Sequence, residues 1–199
     1  GGAKFMVEEG VMNNPKVDAI FGLHAWPGKV GTVEYRSGPT MAAAERMRIT
    51  VTGSQTHGAV PWKGVDPIAI SSQIITALQT IVAREVNITQ VPAVVTIGSI
   101  HGGVRNNIIP EEVVMEGTIR TFNDEVRKDI HNSIRKKAEM IASASGATAK
   151  VEIFSDIAKV TFNEPSLTDK MVPSLERVYG KENVKITPFI TGAEDFPFF

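Results

Sequence analysis

A chain of 199 residues has room for one large domain or one and a half small ones. Its 42% hydrophobic and 22% charged content is ordinary for a globular protein, and no apolar run is long enough for a membrane-spanning helix. A net charge of -1 argues against a general nucleic-acid or membrane-surface binder, and the lack of cysteine removes disulfides and thiolate metal ligands.

From the start, Ala3 to Val11 reads as a short helix end, with Gly10 near its stop, and Asn13-Asn14-Pro15 as a turn. Val17 to Leu23 is mostly apolar and suits a strand buried on both faces of an α/β sheet, with His24 just past its carboxyl end. Gly31 to Arg36 is a second short strand, and Ser37-Gly38-Pro39 looks like a hinge. From Glu45 to Thr52 the pattern alternates, with Met47, Ile49 and Val51 on one face and Arg46, Arg48, Thr50 and Thr52 on the other. Asp66-Pro67 opens a helix whose stripe is Ile70, Ile74, Leu78 and Ile81. Strands follow over Ala93 to Ile100 and Glu112 to Phe122. Asn123 caps a second helix, with Val126, Ile130, Ile134 and Ile141 on its stripe and Gly146 past its end. Thr148 to Ser155 alternates again. The order strand, helix, strand, strand, helix, strand is the split βαβ pattern: a four-stranded antiparallel sheet with two helices on one face. Asn163-Glu164-Pro165 then opens a helix bearing Leu167, Met171, Leu175 and Val178; interior Pro173 costs ~3 kcal/mol and predicts a kink or early stop. Val184 to Ile186 is a short strand and Thr191-Gly192-Ala193 a loop.

The expected organisation is an incomplete α/β domain, residues 1–40 and 160–199, interrupted by an inserted α+β domain over 45–157. Both ends read as cut from a longer protein, which leaves the compartment open.

Four histidines are candidates for chemistry. His131 lies on what the pattern makes the exposed side of the second helix and reads as a surface residue. His101, running into Gly102-Gly103, reads as a loop histidine. His24 is placed as a metal ligand would be, and neutral imidazole suits zinc and similar ions, although a buried, satisfied histidine fits the local sequence as well. His57 sits in a loop of small residues between Gly53 and Gly58, where backbone can approach a ligand closely. Asn107 is equally a turn cap and an amide donor to a substrate carbonyl or carboxylate. Glu194-Asp195 is a carboxylate pair beside an aromatic cluster.

Together these segments carry a resemblance. Gly22-Leu23-His24-Ala25-Trp26-Pro27, His57-Gly58-Ala59-Val60-Pro61, Gly64-Val65-Asp66-Pro67, Gly98 to Gly103, Asn107 to Pro110, Gly117 to Phe122 and Glu194-Asp195-Phe196 fall in order along essentially the whole chain. In that order they resemble the aminoacylase-like metallopeptidase superfamily, in its N-acyl-amino-acid amidohydrolase branch, which includes hippurate hydrolases and indoleacetyl-amino-acid hydrolases.

The resemblance implies metal-dependent hydrolysis of N-acyl amino acids, with two divalent ions (Zn, Mn, Co or Ni) in the complete enzyme, and a homodimer formed through the inserted domain as a lid. No nucleic-acid or membrane partner is expected, from the net charge of -1 and the lack of a long apolar run. His24 matches a metal ligand. His57 matches a lid histidine that reaches the reaction centre, often that of the partner subunit, and is the candidate oxyanion donor. Asn107 matches a substrate-binding lid residue, with Arg120 second for the substrate carboxylate. Glu194 is a carboxylate near the metals that could orient their ligands. The other expected ligands are a Cys-Gly-His-Asp motif, a glutamate upstream of Gly1 next to the general-base glutamate, and a C-terminal histidine. This sequence contains none of them, so these residues alone are expected to be inactive. Ser54-Gln55-Thr56 stands where the family usually has glycines. The alternatives are a non-catalytic dimerisation or regulatory domain, and a dipeptidase or deacylase of the same superfamily.

Overall fold

The structure is a computed structural model that describes residues 2–199, and for Asp156 and Ile157 the backbone alone. In chain order its elements are α1 (Gly2–Glu8), β1 (Val33–Tyr35), β2 (Gly38–Met41), β3 (Ala43–Thr52), β4 (Thr56–His57), α2 (Pro67–Thr80), β5 (Ala93–Gly102), β6 (Ile108–Ile109), β7 (Glu112–Thr121), α3 (Asp124–Ala144), β8 (Thr148–Ala158), β9 (Thr161–Asn163), α4 (Pro165–Tyr179) and β10 (Val184–Ile186). The chain forms two compact units, a central one of Glu45–Asp156 and an outer one from the flanking segments, up to Ala44 and from Ile157.

The central unit is built on a four-stranded sheet in the order β5-β7-β3-β8. β5 and β7 are antiparallel from Ala93↔Thr121 to Gly102↔Val113, with a register shift between Ile97 and Ser99. The alternation in β3 is realised: Met47, Ile49 and Val51 are sealed from solvent, while Arg46, Arg48 and Thr52 are exposed. α2 starts where the Asp66 side chain accepts from the amides of Ile68 and Ala69, with Pro67 in the first turn, where its missing N–H costs nothing. A π-helical turn, Ile81–Glu85, continues it. α3 starts where Asn123 accepts from the amides of Glu125 and Val126. Both helices contribute to one core, in which Ile74 and Leu78 of α2 and Ile130 and Ile134 of α3 cluster with Met47, Ile49, Met115 and Ile119 of the sheet. Each such side chain contributes about 1.5–3 kcal/mol by leaving water.

In the outer unit β1 pairs in parallel with β10, Val33↔Val184 to Tyr35↔Ile186, and β2 pairs antiparallel with β9. Three expectations fail here. Val17 to Leu23 forms no strand: it makes no ladder among the described residues, and Phe21 and Leu23 are exposed. Apolar composition does not make a strand without a neighbour to share its hydrogen bonds. His24 therefore lies in a loop. Ser37-Gly38-Pro39 is not a simple break. Gly38 takes a left-handed φ of +76°, and Pro39 lies inside β2 opposite Phe162. A two-stranded ladder has free edges, where proline gives up no hydrogen bond. Nor does α4 stop early at Pro173; it runs on to Tyr179. Its start is fixed by the Glu164 carboxylate, which accepts from the amides of Ser166 and Leu167, and that cap helps offset the proline. The stripe of α4 is only half-buried, and Val178 is exposed.

Candidate functional site

His57 and Asn107 come together at one corner of the central unit. β4 and β6 form a two-residue antiparallel ladder, Thr56↔Ile109 and His57↔Ile108. The Gly58 amide extends it by donating to the Asn107 carbonyl at 2.8 Å. A Cβ on Gly58 would lie 3.2 Å from that oxygen and 3.3 Å from its carbon, so only glycine lets the two segments close up without a shift. The loop is braced from behind by Ser54 and Val65, which exchange backbone hydrogen bonds at 2.9 and 3.0 Å, and by the Val60 amide, which donates to the His57 carbonyl. The Ala59 amide donates to His57 Nδ1 at 3.0 Å. An N–H can only donate, so Nδ1 is the accepting nitrogen and the proton of the neutral ring sits on Nε2. His57 thus presents an exposed Nε2–H donor. An open cleft of about 510 Å³ lies next to this corner, lined among others by Gly58, Asp66, Ile68, Gly103, Arg105 and Asn106. Sequence reasoning missed Ala59, Arg105 and Asn106. A two-residue ladder has no periodicity to detect, and the amide that fixes a tautomer belongs to a residue with no chemistry of its own.

Arg120 is not part of this corner. It stands eight residues along β7 from Glu112, roughly 27 Å at about 3.4 Å per residue, whereas the corner adjoins the start of that strand. It is half-buried and paired with Val94 across the sheet.

In the outer unit His24 and Glu194 meet. His24 Nε2 lies 2.9 Å from Glu194 Oε1, and Nδ1 lies 2.6 Å from the Ala25 carbonyl. That carbonyl can only accept, so Nδ1 donates to it, and Nε2 is the nitrogen turned toward the Glu194 carboxylate. The Trp26 ring packs edgewise on the imidazole at 5.2 Å. Asp195 turns the other way and accepts from the Ala3 amide at 3.1 Å. Among the described residues no group of three or more His, Cys, Asp or Glu side chains gathers to hold an ion.

His131 does not behave as a surface residue. Its Nε2 lies 2.6 Å from Glu45 Oε2, and the Glu45 side chain is 1% exposed. Arg127 Nη1 stands 3.8 Å from the other oxygen. Glu45 shares the inward face of β3 with Met47, and the first turns of α3 bring Arg127 and His131 over it; a buried carboxylate must find partners, and these residues supply them. The helical stripe alone could not reveal this, because the partner is 86 residues away. Burial pushes the Glu45 carboxyl up, but hydrogen bonds from His131 and Ser155 and the charges of His131 and Arg127 outweigh it and hold it below the usual carboxylate range. His101 is exposed but is not in a loop: it lies within β5 opposite Val114.

Residues 44–145 match the peptidase dimerisation domain. Over 202 aligned residues the chain is 39% identical to thermostable carboxypeptidase 2 of Saccharolobus solfataricus, covering 100% of this chain and 49% of that protein. It is 43% identical over 152 residues to the N-acetyl-L-cysteine deacetylase of Bacillus subtilis, covering 76% of this chain and 36% of that one. It also superposes on the crystal structure of a Bacillus subtilis dinuclear metal binding peptidase from the M20 family with a TM-score of 0.78 at 33% identity, covering 98% of this chain and 47% of that one. The chain spans about half the length of the first curated relatives it matches. It belongs to the M20 peptidase family, of which residues 44–145 are the dimerisation domain.

Proposed function

We propose that this chain supplies the dimerisation lid and part of the catalytic domain of a metal-dependent hydrolase that cleaves the amide bond of N-acyl amino acids. The observation that carries this reading is the His57–Asn107 corner. A short two-strand clasp there presents an exposed Nε2–H donor on His57 and holds the Asn107 backbone against Gly58. Amide hydrolysis needs a donor where negative charge develops on the carbonyl oxygen, and an N-acyl amino acid also brings a carboxylate to be held. His57 fits the first need and Asn107 the second. The names of the relatives, a carboxypeptidase and a deacetylase, agree with amide cleavage beside an amino-acid carboxylate.

Two divalent ions of zinc, manganese, cobalt or nickel, when bound, polarise the scissile carbonyl and make the attacking water acidic near neutral pH. On this chain His24 Nε2 fits one of them, with the Glu194 carboxylate beside it; an imidazole nitrogen and a carboxylate oxygen are donors these ions take. His57 donates to the oxyanion, Asn107 orients the substrate carboxylate, and Arg120 adds positive charge.

The lid is read as a split βαβ domain that forms a homodimer. The strand order and the core common to both helices support that reading. In this reading His57 serves the metal centre of the other copy, as the resemblance implies; Arg120 of the same copy, roughly 27 Å along the sheet at about 3.4 Å per residue, is too far from the corner to share its small substrate. In the full-length enzyme His57→Ala should lower kcat by roughly 100-fold or more while leaving metal content unchanged, since an oxyanion donor acts mainly in the transition state. A His57→Ala enzyme with normal kcat on N-acyl amino acids would return His57 to an ordinary loop residue.

A further inference from the structure

Three contacts join the segment 22–26 to the loop 192–196. A Cβ placed on Gly22 would lie 3.0 Å from the Phe196 ring, and one on Gly192 would lie 3.5 Å from Trp26. Between them His24 Nε2 meets Glu194 Oε1 at 2.9 Å. The segments are thus in contact on both sides of the His24–Glu194 pair. Ala25 occupies Nδ1, so an ion on His24 has only Nε2 to bind. Glu194 makes no other hydrogen bond or ion pair among the described residues, so its carboxylate has no competing partner. Both side chains are open to solvent, His24 at 53% and Glu194 at 33%, so an ion can reach them.

Resting on the reading of His24 as a metal ligand, we propose that Glu194 supplies an oxygen ligand to the ion that His24 holds. Two ligands of one ion at about 2.0–2.2 Å, with an angle between about 90 and 110°, stand about 2.8–3.6 Å apart. The observed 2.9 Å is already close to that spacing, so an ion arriving at Nε2 needs little movement of either side chain. A bare carboxylate this close to a dication binds it or becomes its nearest counter-charge; the free second oxygen and the braced loop favour the bond.

The test uses the full-length enzyme stripped of metal and titrated with cobalt(II), followed by visible absorption and calorimetry. Glu194→Gln should weaken one of the two ions by tenfold or more and shift the cobalt d–d bands, because an amide replaces an anionic oxygen in the ligand set. Glu194→Asp should restore part of the affinity. His24→Ala is the control. If it loses an ion while Glu194→Gln keeps wild-type affinity and spectrum, Glu194 is no ligand although His24 is. A gain in affinity in Glu194→Gln would show that the carboxylate competes for His24 rather than joining it. If His24→Ala keeps both ions, the reading of His24 itself fails, and this proposal with it.

Discussion

Glu45 puts a charge on the inward face of β3, and the base of the central unit depends on how that charge is met. Removing its carboxylate leaves His131 and Arg127 facing a buried gap, so Glu45→Ala should cost about 3 kcal/mol or more in denaturant unfolding. The pH dependence has a definite sign. The folded carboxyl is held below its unfolded value, so the unfolded state binds more protons in the acid range. Its contribution is complete above the unfolded value, about 4.3, and is lost as pH falls through the lower folded value. Stability measured from pH 7 to pH 3 should fall more steeply in the wild type than in Glu45→Gln; parallel curves would contradict this. This residue was not legible in the sequence. The alternating pattern assigns position 45 to the inward face but does not say that two residues of α3 will cover it. His57 and Asn107 were legible as separate candidates, each in its motif. Their meeting, and the tautomer that Ala59 imposes, depend on a ladder too short to leave a pattern.

α2 and α3 owe their starts to Asp66 and Asn123 and their positions to apolar stripes that face one core. Asp66→Ala should cost ~1 kcal/mol through loss of the cap, and Ile74→Ala about 2–5 kcal/mol through loss of buried volume; thermal unfolding of the pair separates the two mechanisms by size. Equal effects would mean that Asp66 does more than cap, which its place on the rim of the cleft beside His57 makes worth measuring. These elements were read correctly because cap, stripe and stop agree within each segment. The failures lie in the outer unit. Val17 to Leu23 has the composition of a buried strand but no neighbour to pair with. Pro173 argued for a kink or a stop, and the well-capped α4 does not stop there.

For the whole molecule, we propose a dimerising lid that carries part of the chemistry and an outer unit that carries one metal ligand or two. The 199-residue chain by itself should bind zinc or manganese only weakly in calorimetry, because two donors do not close a two-ion site; tight binding of two ions would overturn this. The central claim is that His57 of one subunit serves the metal centre of the other. Mixing full-length His57→Ala and His24→Ala enzymes under conditions of subunit exchange tests it most directly. Each hybrid dimer then holds one centre with an intact His24 and an intact partner His57. The account predicts recovery to about a quarter of wild-type activity, since half the dimers are hybrids and each has one working site of two. Hybrid dimers shown to form, yet as inactive as either parent, would contradict it.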